Sequence, residues 1–255
     1  MKHHVKVTDT ALTQMLLNGF EAFVVRHSNN KRRGVEFSAS LYGSKTRADN
    51  SVHYDVAFIS ADTSSLMRGG SVLTNPEAVF LKQQLSSAMG NEQLGEMHSH
   101  PYLLNEMSLN DVRTSGIHFS RADLNCFTEK LDSIRSDHEL SSNTKITILE
   151  LVLTICQLER MNSKADGRLD DNLIEFSIGN CKCFLMAQVF SSVEEGDLQP
   201  EPTYLACEHL SSYKHLEVDF GRFVIKEGKK RIVFYKPKCI LNSIFNALPL
   251  NGIFI

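Results

Sequence analysis

Apolar and polar residues alternate along this chain with two periods, and the two periods divide it into helices and strands. From Leu12 onward the apolar residues Met15, Leu16, Phe20, Phe23 and Val24 recur at helical spacing, with Thr8 or Asp9 placed to cap the first turn. Residues 5–7 just before them form a short strand, and the polar run 28–34 after them is a solvated turn. Residues 35–42 then alternate with period two. Val35, Phe37, Ala39 and Leu41 share the inward face, and Glu36, Ser38, Ser40 and Tyr42 share the other. After a turn at 47–51, residues 52–59 supply an antiparallel partner. Beyond the Gly69-Gly70 loop, Asn75 and Pro76 are a cap and a first-turn proline. The helix they open runs to about Met89, with Phe80, Leu81, Leu85 and Ala88 inward.

Residues 94–100 are the next strand, stopped by Pro101, and Ser108 opens a helix toward Ser115. Residues 146–158 have the β-branched content of a strand, although their length would also suit a helix. A charged loop at 159–171 leads into a hairpin at 172–192 that turns on Gly179-Asn180. Past Pro200-Glu201-Pro202 the pattern predicts a short helix over 204–213 and a second hairpin over 222–235, turning near Glu227-Gly228-Lys229. The final apolar segment, 240–255, docks on the body or on a partner.

At 255 residues and 42% apolar content the chain can bury a core as one large domain, or as a domain with an extension. A net charge of −3 argues against a nucleic-acid surface, which needs a basic stripe. No apolar run reaches bilayer-spanning length, and Asp9 and Thr10 interrupt any signal-peptide core. Six cysteines are too few for a disulfide scaffold and imply reduced thiols in a cytoplasm.

Chemistry concentrates in one stretch. In a strand over 94–100, Glu96, His98 and His100 share a face, and Asp111 arrives from the next turn. Two imidazoles and a carboxylate suit zinc, which leaves its fourth position to water in catalytic sites. Ser108-x-x-Asp111 also reads as a helix capping box, a role compatible with a second one at the metal.

His98-x-His100-Pro101-x6-Ser108-x-x-Asp111 resembles the signature of the JAMM (MPN, or JAB) zinc metalloproteases. The family's upstream glutamate strand is matched by Glu36-Phe37-Ser38-Ala39-Ser40-Leu41-Tyr42-Gly43, with Ser38 and Ala39 where many members carry Cys and Gly. Gly95-Glu96-x-His98 is closer to the bacterial branch. The resemblance covers roughly residues 5–190. It implies an α/β (α+β) MPN fold: a central mixed, curved β-sheet flanked by helices over 1–195, followed by a β-rich extension over 196–255.

By the same resemblance, His98, His100 and Asp111 hold one catalytic zinc, Glu36 is the general base, and Ser108 stabilises the oxyanion. Glu96 is the rival base, or a group that orients the ligands. The implied activity is hydrolysis of the peptide or isopeptide bond after a ubiquitin-like C-terminal tail. Ubiquitin or a ubiquitin-like conjugate is then the substrate, and E1- or E2-like proteins or further copies of the chain are partners. The alternative is a catalytically silent MPN scaffold, although silent members usually lack ligands. A cysteine protease using Cys126 and His138 has no motif behind it. A second, structural zinc at Cys181, Cys183, Cys207 and His209 matches no zinc spacing, and cysteines two apart on a strand are ordinarily small core residues.

Overall fold

Hydrophobic alternation and capping shape a curled sheet with helices on its faces. The computed structural model describes residues 1–25, 34–61, 66–68, 71–73, 75–141, 143–160, 162, 164–208, 210, 222–226 and 229–233. The first half of the chain forms β1 (Lys2–Val7), α1 (Asp9–Val24), β2 (Ser38–Ala48), β3 (Ser51–Ala61), the short pair β4 (Leu66–Arg68) and β5 (Ser71–Leu73), α2 (Pro76–Ala88) and β6 (Glu92–Tyr102). Next come α3 (Leu109–Asp111), which runs into a π-helical turn (Val112–Gly116), then α4 (Arg121–Asp137) and β7 (Ile146–Gln157). The remainder is β8 (Gly167–Asp170), β9 (Leu173–Ile178), β10 (Cys181–Ser192), β11 (Gln199–Glu201), β12 (Thr203–Ala206) and the hairpin β13 (Arg222–Lys226) and β14 (Lys229–Val233).

The main sheet runs in the order β12-β1-β3-β2-β6-β7-β10-β9-β8, with β11 beside β10. It is mixed: β1 lies parallel to β3 and β12, β6 lies parallel to β7, and the other pairs are antiparallel. Strands β11 and β12, which lie past position 195, belong to this same sheet. They are nearly continuous in the chain yet pair with β10 and β1 respectively, which draws the two ends of the sheet toward each other. One face buries α1 through Leu12, Met15, Leu16 and Phe23 against Val5, Leu41, Val56, Leu151 and Leu153. The opposite face receives α4, whose Phe127 and Leu131 pack on Ile146, Ile148 and Phe190.

The expected alternation from Val35 to Leu41 is present, with all four residues buried. Its strand starts later and runs past the bulge at Tyr42/Gly43, and the turn falls at Asp49, which adopts a φ of 44°. Cys181 and Cys183 are core residues, and Cys207 packs against the same core.

Four expectations are corrected. Pro101 does not stop β6, which continues to Tyr102: β2 pairs only as far as His98 while β7 continues, so the proline lies where one edge has no ladder to lose. Part of the expected loop over 159–171 is strand β8, and the start of the expected helix at 204 is strand β12. Finally, α2 begins at the Asn75 cap as expected but turns its apolar side outward. Phe80, Leu81, Leu85 and Ala88 are exposed, the buried residue of the helix is Ser86, and Lys82 Nζ donates to the Ala61 carbonyl at 2.6 Å. Periodicity locates an apolar side but not what covers it. The expected turn at 28–34 lies almost entirely outside the described residues, and the Gly69-Gly70 loop and the segment 240–255 lie wholly outside them.

Gly95 sets the spacing of the two strands that matter most. A Cβ there would sit 1.9 Å from the backbone oxygen of Leu149, its partner across the parallel β6–β7 ladder. Gly95→Ala should therefore cost about 3 kcal/mol, because backbone rather than a flexible side chain must move. Thermal denaturation should show Tm lowered by roughly 6–12 °C. An unchanged Tm would contradict this register.

Candidate functional site

The site is assembled on the face of β6 opposite the main core. Period-two alternation puts Glu96, His98 and His100 on that face, and the antiparallel register places Ser38 of β2 across from His98. Phe37 and Ser99 exchange bonds one step further: the Ser99 N–H donates to the Phe37 carbonyl, and the Phe37 N–H donates to Ser99 Oγ. Glu36 is thereby carried to the level of His100. On the other side, parallel pairing aligns Glu96 with Glu150 and His100 with Thr154 of β7. These residues open into a cleft of about 460 Å³, lined by Glu36, Ser38, Glu96, His98, His100 and Asp123 among others.

His98 Nε2 and His100 Nε2 stand 3.1 Å apart, and Asp123 Oδ1 and Oδ2 lie 3.5 Å from them respectively. All three donor atoms fall within 4.8 Å of one another. Two imidazole nitrogens and a carboxylate on a half-buried surface form a donor set that can hold a metal ion. His100 Nδ1 lies 3.2 Å from the Gly116 carbonyl. A carbonyl only accepts, so Nδ1 carries the proton and the neutral ring presents its Nε2 lone pair to the cluster. Burial opposes a charge on His100, but the hydrogen bond and negative charge of Asp123 outweigh it and raise the pKa, with a further contribution from Glu36. Burial likewise opposes ionisation of Asp123, and the Nε2 atoms of His100 and His98 beside it, when protonated, donate to it and overcome that penalty, holding this carboxyl far below the usual range.

The carboxylate in this cluster comes from Asp123, not from the expected Asp111. Asp111 is turned to its own cap: Ser108 Oγ donates to Asp111 Oδ2 at 2.5 Å and accepts from the Asp111 N–H at 3.2 Å. Neither Ser108 nor Asp111 lines the cleft. The same Ser-x-x-Asp pattern recurs twelve positions later as Ser120-x-x-Asp123, and there it opens α4. Ser120 Oγ accepts from the Asp123 N–H at 3.2 Å while the Ser120 N–H donates to Asp123 Oδ2 at 2.6 Å. Phe119 and Leu124, flanking this box, pack on one apolar cluster as a hydrophobic staple does. That staple, followed by Phe127, Leu131 and Ile134 at helical spacing, is the signal in the sequence that distinguishes the second box from the first.

The rival glutamate is engaged. Lys130 of α4 reaches Glu96 at 3.2 Å and Glu150 at 2.8 Å, tying the helix to two adjacent strands. Burial raises the Glu150 pKa to about 7 against the opposing charge of Lys130. His118 is exposed at the cleft rim. Among the described residues no other group of His, Cys, Asp and Glu converges in this way, and no helix is long and apolar enough to cross a membrane.

No family model and no curated protein matches the chain. Among solved structures, the solution structure of protein DSY2949 from Desulfitobacterium hafniense aligns over 83% of this chain and 98% of its own, at 14% identity and a TM-score of 0.36. At that level the similarity supports no statement about function.

The two aspartates are separable by mutation. Asp123→Asn should lower zinc affinity by a hundred-fold or more, since it removes an anionic ligand. Asp111→Asn should leave affinity within about threefold and cost only the roughly 1 kcal/mol typical of a weakened cap. Calorimetric titration of both variants with zinc checks this; a greater loss in the Asp111 variant would restore the expected ligand.

Proposed function

We propose that this chain is a zinc-dependent peptidase or isopeptidase of the JAMM type, with His98, His100 and Asp123 as the metal-holding residues. The observation that carries the reading is the convergence of those three groups beside Glu36 in one cleft. Zinc held there supplies Lewis acidity, polarising a carbonyl and lowering the pKa of a water toward about 7. Glu36 takes the proton of the attacking water and delivers one to the leaving amine. Ser120 fills the role expected of Ser108: it lines the cleft beside the metal-holding groups, its Oγ accepts from the Asp123 N–H, and its hydroxyl is placed to turn to a developing oxyanion. Ser108, by contrast, does not line the cleft. Glu96, held against Lys130, positions its neighbours rather than moving protons. The cleft serves the resemblance's substrate class, the bond after the C-terminal tail of ubiquitin or a ubiquitin-like protein.

Glu36→Gln keeps size and shape but cannot take a proton at neutral pH. It should leave zinc stoichiometry intact and lower turnover of a ubiquitin-like fusion by a hundred-fold or more. Ser120→Ala should lower turnover by about ten- to a thousand-fold with zinc retained, and Ser108→Ala should not. Full activity in Glu36→Gln with loss in Glu96→Gln would transfer the base role to Glu96. Full zinc occupancy without cleavage of any ubiquitin-like fusion would favour a scaffold.

A further inference from the structure

Between the histidine strand and α4 the chain makes a detour over residues 103–119, and this detour is fastened with unusual care. Its apolar side, Val112 and Ile117, is buried on Cys156, Leu173 and Phe184. Its polar side sends Arg113 to Glu175 of β9 as a two-pronged pair, with Nη2 to Oε1 at 2.6 Å and Nε to Oε2 at 3.0 Å. Glu175 is fully buried, and its Oε1 is also 2.9 Å from Nζ of the equally buried Lys182. Lys182 continues to Asp166 at 2.7 Å, and the Asp166 carboxylate accepts from the Ser177 N–H and hydroxyl at 3.1 and 2.8 Å. Four charges alternate in sign along this string and sum to zero, so no buried charge is left uncompensated. Apolar residues of similar volume could fill such a position at equal or lower free energy. What a planar guanidinium fork adds is a fixed direction for the chain that carries it.

Three residues after Arg113, that chain presents the Gly116 carbonyl. It accepts from His100 Nδ1 at 3.2 Å and from Thr154 Oγ1 at 3.3 Å. A side chain at Gly116 would sit 2.9 Å from the Tyr102 ring, so the carbonyl is pressed close to β6. We propose that Arg113, anchored by Glu175 and Lys182, is a positioning residue that holds the Gly116 carbonyl on His100 and thereby keeps the His100 Nε2 lone pair in the cleft. Released from that carbonyl, the neutral ring can shift its proton to Nε2, where it blocks ligation. The inference rests on the functional reading above only for what the lone pair is used for; the tautomer itself is a property of the metal-free protein.

The test uses two variants of the full chain. Arg113→Met removes the fork, and Arg113→Met with Glu175→Gln removes it while leaving Lys182 and Asp166 as a neutral pair, which guards against simple misfolding. In alkaline buffer without metal, ¹⁵N NMR should show His100 protonated at Nδ1 in the wild type and a mixture of tautomers in both variants. Titration with zinc alone should show affinity lowered by about ten- to a hundred-fold. Wild-type tautomer and zinc affinity in the folded double variant, with only Tm reduced, would make the network merely structural and overturn the proposal. A wild-type His100 protonated at Nε2 would overturn it as well. If the tautomer responds as described but the wild type takes up no zinc, the peptidase reading fails and the positioning role stands.

Discussion

Two imidazole nitrogens 3.1 Å apart, facing a carboxylate on a half-buried surface, form the arrangement on which the rest of the structure depends. Lone pairs at that separation repel unless a proton or a cation lies between them, so the cluster has a built-in demand for positive charge. The sheet supplies the imidazoles at its own repeat, two residues apart on one strand. The carboxylate of the same strand, Glu96, is held by Lys130, and the one facing the histidines is brought by the first turn of a helix, whose N-terminal N–H groups and dipole favour an anion. Asp123 thus caps α4 and faces the histidines with one carboxylate. Helix docking and site geometry are therefore a single problem. It is solved by packing Phe119 edge-on against Phe127 and Phe190, with the three ring centroids 5.2–5.6 Å apart, beside His98.

Around this centre the polar groups are distributed by strand. Glu36 reaches the cleft from the β2 side because the Phe37–Ser99 exchange prolongs the β2–β6 register beyond its last paired residues. Glu96 and Glu150 lie further along the same face and are bridged by Lys130, which places a cation between two carboxylates and fastens the middle of α4. The detour before α4 is held by another charge string, Arg113–Glu175–Lys182–Asp166. Each string ties one flanking segment to the sheet at a depth where an unpaired charge would be costly, so each constrains where its segment can lie.

The periodic content of the chain determined much of this architecture. The inward set Val35, Phe37, Ala39 and Leu41, the common face of Glu96, His98 and His100, the Thr8 and Asn75 caps and the Gly179-Asn180 hairpin all follow from side-chain alternation and turn chemistry, which act over a few residues. The histidine pair was legible for the same reason, because both residues sit on a strand whose period fixes their face, while Glu36 lies just before β2 on the stretch that the Phe37–Ser99 bonds keep in register. What local pattern could not decide was which of two identical Ser-x-x-Asp boxes meets the histidines. Both cap a helical turn equally well. The staple of Phe119 and Leu124 marks the second box as the start of a longer helix, but packing decides which box meets the histidines: Val112 and Ile117 are buried on Cys156, Leu173 and Phe184, so the first box is spent on a detour, while the phenylalanine cluster seats the second beside His98. The outward turn of Phe80, Leu81 and Leu85 on α2 and the use of Pro101 inside a strand were decided in the same way. An apolar stripe or a missing N–H acquires its meaning only from the neighbour, or the empty ladder position, that the folded chain puts beside it.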